Sequence, residues 1–151
     1  MINMQILEHQ NIQFNNLISY NTNVKTSDIL KLTKYISDHL YVLDLIKKDN
    51  IIFSEKDHIN EDTVRVEILI PVKGEIKKCN EFDYKPVFTL NNAVTIRHEG
   101  SLNELHNTEC QLYEFIKSHK FQVITSPYHI IVRNGDANSE NCIIDICIGV
   151  N

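Results

Sequence analysis

The chain has no tryptophan, so the largest ring on which an aromatic cation could stack is missing. Its four cysteines, Cys79, Cys110, Cys142 and Cys147, form no CxxC pair, and 151 residues are enough to bury a core without staples, so reduced thiols are expected. Cys142 and Cys147 lie five apart on one predicted strand and point to opposite faces, which excludes a shared tetrahedral site. None of the seven histidines falls in HExxH, and no serine sits in GxSxG. No metal, no cofactor and no catalytic nucleophile–base pair is therefore expected.

Positive charge is also short. Fifteen Lys and Arg against twenty Asp and Glu give a formal net charge of −5 and a pI near 5.8, with no basic stripe to neutralise phosphates. That argues against a nucleic-acid partner and fits a neutral or cationic one. No stretch approaches the roughly 20 apolar residues of a membrane span. Met1 to His9 carry no basic leader followed by an apolar run. The expectation is a single cytoplasmic domain over residues 1–151, away from membranes.

What the chain does have is an internal repeat. Asn15-Asn16-Leu17-Ile18-Ser19-Tyr20, closed by Val64 to Val72, returns as Asn91-Asn92-Ala93-Val94-Thr95-Ile96, closed by Cys142 to Val150. The copies are 76 residues apart at the front and 78 at the back, so a small loop insertion aligns them. The pseudo-repeats span 12–73 and 85–151. Two copies of a unit that cannot cover its own apolar face are expected to pack together, with a ligand at the seam.

In the first copy a strand is predicted from Ile12 to Tyr20. Thr26 or Ser27 would cap a helix whose stripe is Ile29, Leu32, Ile36, Leu40 and Leu43, about five turns long and ending near Lys47-Lys48. Ile51 to Ser54 reads as a short strand, and Glu55 to Asp62 as a polar turn. Val64, Val66, Ile68, Ile70 and Val72 then alternate along a strand whose even positions face the core. The order is β-α-β-β. The second copy repeats it with Val87 to Arg97, a break at Gly100, a cap at Ser101, a helix bearing Leu105, Leu112 and Ile116, strands Tyr128 to Arg133 and Cys142 to Val150, and a turn at Asn134-Gly135-Asp136. Lys73 to Asp83 reads as a charged connector.

Ala93 to Ser101 before a helix, with Arg97-His98-Glu99-Gly100 in the turn, and Asp145-Ile146-Cys147-Ile148-Gly149-Val150 at the end together resemble the bacterial gyrase-inhibitor-like (GyrI-like) effector-binding domain. The resemblance spans nearly the whole chain, and the order of the motifs carries it. It implies an α+β fold: a tandem β-α-β-β duplication, with a curved antiparallel sheet, two long helices on one side and a cleft between the halves. It also implies a small amphipathic or cationic ligand, a carboxylate on the closing strand, and aromatic side chains around it. The matching carboxylate is Asp145, and Glu67 is its mate in the first copy. Both fall on the odd-numbered face, opposite the aliphatic set. Tyr128, Tyr20 and Phe53 complete the expected ligand-binding set.

Against that stands the plain reading of a charged residue on a strand's solvent face. Arg65, two residues from Glu67, could cancel its attraction for a cation, whereas uncharged Ile143 accompanies Asp145. Arg97 and His98 are accounted for by the turn. Family members commonly carry Glu where this chain has the shorter Asp145. Without a helix-turn-helix, the chain by itself is not expected to regulate transcription. The leading expectation is a non-enzymatic, stand-alone effector-binding domain. The alternatives are a protein-binding module that neutralises or chaperones a bacterial toxin, and a small-substrate hydrolase.

Overall fold

The computed structural model describes residues 5–135 and 140–151. It is α+β, with seven strands and two α-helices: β1 Ile6–Lys25, α1 Ile29–Asp38, β2 Ile46–Lys47, β3 Ile51–His58, β4 Thr63–Lys73, β5 Asp83–Gly100, α2 Leu105–Ser118, β6 Tyr128–Arg133 and β7 Cys142–Gly149. The chain divides into two compact units, Met1–Ile12 with Leu90–Asn151, and Gln13–Thr89. The boundaries fall inside β1 and β5, so each repeat's first strand begins in the unit of the other repeat.

In the unit Gln13–Thr89, β4 is flanked antiparallel by β1, with Tyr20 opposite Ile68 and Asn21 opposite Glu67, and by β3, with Phe53 opposite Ile68 and Ser54 opposite Glu67. β2 pairs with the end of β4 through Ile46 and Lys47. Val64, Val66, Ile68, Ile70 and Val72 are all buried, as their alternation requires.

In the other unit, β7 is flanked antiparallel by β5 and β6. Val94, Ile96, Ile146, Ile148 and Val150 form one core cluster with Leu112 and Ile116 of α2, so the even-numbered face of β7 meets the helix. Leu105 packs at the edge of that cluster. Ser101 caps the entry, its hydroxyl accepting from the Asn103 N–H at 3.2 Å.

The duplication extends to backbone detail. Asn16 and Asn92 both sit at φ 61, a left-handed conformation that asparagine tolerates, and each side-chain amide donates to a carbonyl of the closing strand: Val72 at 2.7 Å and Val150 at 3.1 Å. β3 is irregular between Glu55 and Asp57, and β6 between Ile131 and Arg133, the equivalent place. Each helix is entered through a short 3-10 turn, Thr26–Asp28 and Leu102–Glu104. The helices themselves differ. α1 has 10 residues and α2 has 14, one turn more, and each is closed by a histidine, His39 or His119.

The first helix departs from the sequence expectation. It ends at Asp38 rather than near Lys47-Lys48, because a separate 3-10 turn, Leu40–Leu43, follows and Asp44 then enters the left-handed region at φ 56. The Leu45 N–H donates back to the Leu40 carbonyl at 3.2 Å, closing the segment and burying both leucines. The 3-10 turn keeps Leu40 and Leu43 near the helical stripe, which is why the pattern reads as one long helix. Lys47 belongs to β2, opposite Val72. Neither Thr26 nor Ser27 caps α1. The Thr26 N–H instead donates to the Asp62 carbonyl at 2.9 Å.

β3 runs on through Glu55 to His58, where a turn was expected. The connector 74–82 carries no strand or helix, as expected, but Phe82 at its end is buried against Tyr20, ring centres 5.5 Å apart. The expected turn at Asn134-Gly135-Asp136 runs into residues 136–139, outside the described residues.

Candidate functional site

Asp145 lies on the face of β7 turned away from α2, because Ile144 and Ile146 beside it point to the helix side. Its neighbours across the ladder are Arg97 on β5 and Ile130 on β6. The Arg97 guanidinium grips the carboxylate with both prongs, Nε to Oδ1 at 2.8 Å and Nη2 to Oδ2 at 3.0 Å. This bidentate fit, together with the charge of Asp145, holds Arg97 above its ordinary pKa, against a smaller opposing effect of burial. The carboxylate expected to stand unaccompanied thus has a close cationic partner of its own. The sequence hides this because Arg97 and Asp145 are 48 residues apart and meet only through the β5–β7 register.

Tyr128 pairs with Cys147, so it shares the Asp145 face at a diagonal position and is half-buried. Cys147 on the same face is 1% exposed, and burial, aided by the nearby Asp145 charge, pushes its thiol up to about 12. It is no nucleophile at neutral pH. All four cysteines are free thiols, with Cys142 and Cys147 buried.

Glu67 occupies the equivalent place on β4, between Asn21 and Ser54. Its side chain is 16% exposed, against 26% for Asp145. The Ser19 hydroxyl donates to Oε2 at 3.0 Å, and the Lys56 ammonium stands 3.6 Å from Oε1, beyond hydrogen-bond distance. Arg65, expected beside Glu67, turns to Asp57 on β3 instead, at 2.6 Å. The irregularity between Glu55 and Asp57 sets Asp57 directly opposite Arg65 and makes that pairing possible.

Tyr20 and Phe53, the first-copy aromatics named in the ligand-binding set, do not share the face of Glu67. Tyr20 and Phe53 both lie opposite Ile68, one row along, and so occupy the other face of the same three strands. Phe53 is 1% exposed and belongs to the core. Tyr20 packs on Phe82; burial first, then the charges of Glu81 and Cys79, raise its phenol above the ordinary value. The five residues singled out in the sequence therefore separate: Asp145 and Tyr128 share one face of one unit, Glu67 lies in the other unit, and Tyr20 and Phe53 lie behind it.

Two buried histidines serve the framework. His98 is held between Thr108 Oγ1 on Nδ1 and the Ser101 carbonyl on Nε2, each at 2.7 Å. A carbonyl only accepts, so Nε2 donates to Ser101, while the Thr108 hydroxyl meets both Nδ1 and the Glu104 carbonyl. The turn preceding α2 is thereby tied to the helix. His129 meets Glu109 of α2 at 3.1 Å. Among the described residues no group of three His, Cys, Asp or Glu is placed to hold a metal ion, and no helix is long and apolar enough to cross a membrane.

No family model matches this chain, and no curated protein matches it in sequence. Solved structures do match in fold. The C-terminal domain of EcmrR superposes with a TM-score of 0.68 at 18% identity, each chain covering 99% of the other. Its fold is that of the gyrase-inhibitor-like effector-binding domain. In the cryo-EM complex of EcmrR with DNA the same likeness reaches a TM-score of 0.81 at 18% identity, over 98% of this chain, which spans 57% of the length of that one. SAV2435 bound to tetraphenylphosphonium has the effector-binding fold at a TM-score of 0.52 and 13% identity, over 99% of this chain and 94% of that one. A hydrolase from Listeria innocua follows at 0.57 and 10% identity, over 94% of this chain and 91% of its own.

Proposed function

We propose that the chain is a non-enzymatic effector-binding domain that takes a small amphipathic cation on a strand-borne carboxylate. One observation carries the reading: the effector-binding fold, matched here end to end, is the fold on which SAV2435 holds tetraphenylphosphonium. The side chains agree with it. Each unit presents one partly desolvated carboxylate, Glu67 or Asp145, on the odd-numbered face of its closing strand, and a lipophilic cation gains from a carboxylate withdrawn from bulk water. The absence of tryptophan favours a ligand held by charge and shape over one sandwiched between large rings.

Thermal denaturation of the full chain with tetraphenylphosphonium, a rhodamine dye and an uncharged analogue of each tests this. The cations raise the melting temperature and the neutral analogues do not; equal shifts from both, or none from either, sink the reading.

The hydrolase reading draws on the likeness to the Listeria innocua hydrolase. It requires a general base beside Tyr128, and Asp145, the carboxylate on the same face of β7, is clamped by Arg97. Ester turnover lost in both Asp145→Ala and Tyr128→Phe would establish it. The toxin-neutralising reading draws no support from these likenesses, and a co-purifying partner that raises the melting temperature where cations do not would favour it.

A further inference from the structure

We infer that the carboxylate which takes the ligand's positive charge is Glu67 of the first repeat, and that Arg97 is a built-in counter-ion that withdraws the equivalent Asp145 from that role. This rests on the cation-binding reading and names the residue that performs it. The duplication makes the two acids equivalent in the chain, and the side chains around them make them unequal.

Asp145 is already satisfied. Both oxygens are engaged by one planar guanidinium at 2.8 and 3.0 Å, the geometry in which arginine binds a carboxylate best, and a cationic ligand would have to displace a charge that is permanent at any workable pH. The residue at the matching position beside Glu67 is Asn21, which has no charge to offer.

Glu67 is placed to receive a cation. The arginine on its own strand, Arg65, is drawn to Asp57. Lys56 stands at 3.6 Å from Oε1 as a single point charge outside hydrogen-bond distance, without the two-pronged grip that Arg97 has on Asp145. Ser19 holds Oε2 from one side and so fixes the carboxylate without neutralising it. At 16% exposure Glu67 is also the more desolvated of the two acids, so each unit of opposite charge brought near it counts for more. It is also one methylene longer than Asp145, so its carboxylate can reach farther from its strand.

Calorimetric titration of the full chain with tetraphenylphosphonium separates the possibilities. Glu67→Gln weakens binding at least tenfold, whereas Asp145→Asn leaves it within twofold. Arg97→Gln unmasks Asp145 and tightens binding at least threefold, and Asp145→Asn in the Arg97→Gln background removes that gain. Should Glu67→Gln fold poorly, Glu67→Asp, which draws the carboxylate back by one methylene, gives an intermediate loss.

Binding that survives Glu67→Gln and disappears in Asp145→Asn overturns the assignment while leaving the cation-binding reading intact. An Arg97→Gln variant no tighter than wild type overturns the counter-ion role. Failure of both the wild type and Arg97→Gln to bind any lipophilic cation overturns the reading of function and this inference with it.

Discussion

At the scale of single residues, the chemistry is decided by which charges meet. Arg97 and Asp145 make a well-formed bidentate pair, yet the arginine side chain is 53% exposed, so the pair contributes little to stability, roughly 0.2–1 kcal/mol. Asp145→Asn is therefore expected to shift the urea midpoint only slightly. His98 is a different case. It is 1% exposed and links Ser101 to Thr108. His98→Ala removes both hydrogen bonds and a buried ring and should cost about 1–3 kcal/mol by urea denaturation.

Cys147 predicts an alkaline limit. Burial raises its thiol from the ordinary 9.0 to about 12, so between those values the unfolded chain gives up a proton that the folded chain keeps. Stability from this group is complete below pH 9 and declines as the pH rises toward 12. The melting temperature of wild type should fall more steeply across that window than that of Cys147→Ala. An equal slope in both would show that the thiol is not responsible.

At the scale of elements, the two repeats share their irregularities. Asn16 and Asn92 each combine a left-handed backbone at φ 61 with an amide-to-carbonyl bond that ties the first strand to the closing strand. Alanine at either position loses that bond and strains the backbone, at a cost of roughly 1–3 kcal/mol. Asn16→Gly keeps the conformation and should be the milder change, a contrast that urea denaturation resolves.

The helices predict an asymmetry. Leu112 of α2 is fully buried in the cluster with Ile146 and Ile148, whereas Leu32 of α1 is only half-buried. Leu112→Ala should cost about 2–5 kcal/mol and Leu32→Ala distinctly less. Part of this was legible in the sequence. The closing strands, β6, and α2 entered through a turn that Ser101 caps follow from two- and 3.6-residue periodicity and capping chemistry. The length of α1 was not, since the 3-10 turn at Leu40–Leu43 continues the apolar rhythm while Asp44 ends the helical path.

At the scale of the whole molecule, the expected outcome is stabilisation by cations, because a ligand that binds the folded chain alone raises its melting temperature by mass action. The sequence by itself determined the duplication, the strand faces on which Glu67 and Asp145 lie, and the resemblance that made a cationic ligand the leading expectation. These depend on spacing along the chain, and spacing is what a sequence records. The tertiary structure alone decided which charges are neutralised. It brought Arg97 to Asp145, turned Arg65 to Asp57, set Lys56 and Ser19 beside Glu67, and placed Tyr20 and Phe53 on the opposite face of the strands that carry Glu67. The reason is register. Cross-strand partners lie tens of residues apart, an irregularity of one position redirects a side chain, and the pairing that selects them exists only in the folded sheet.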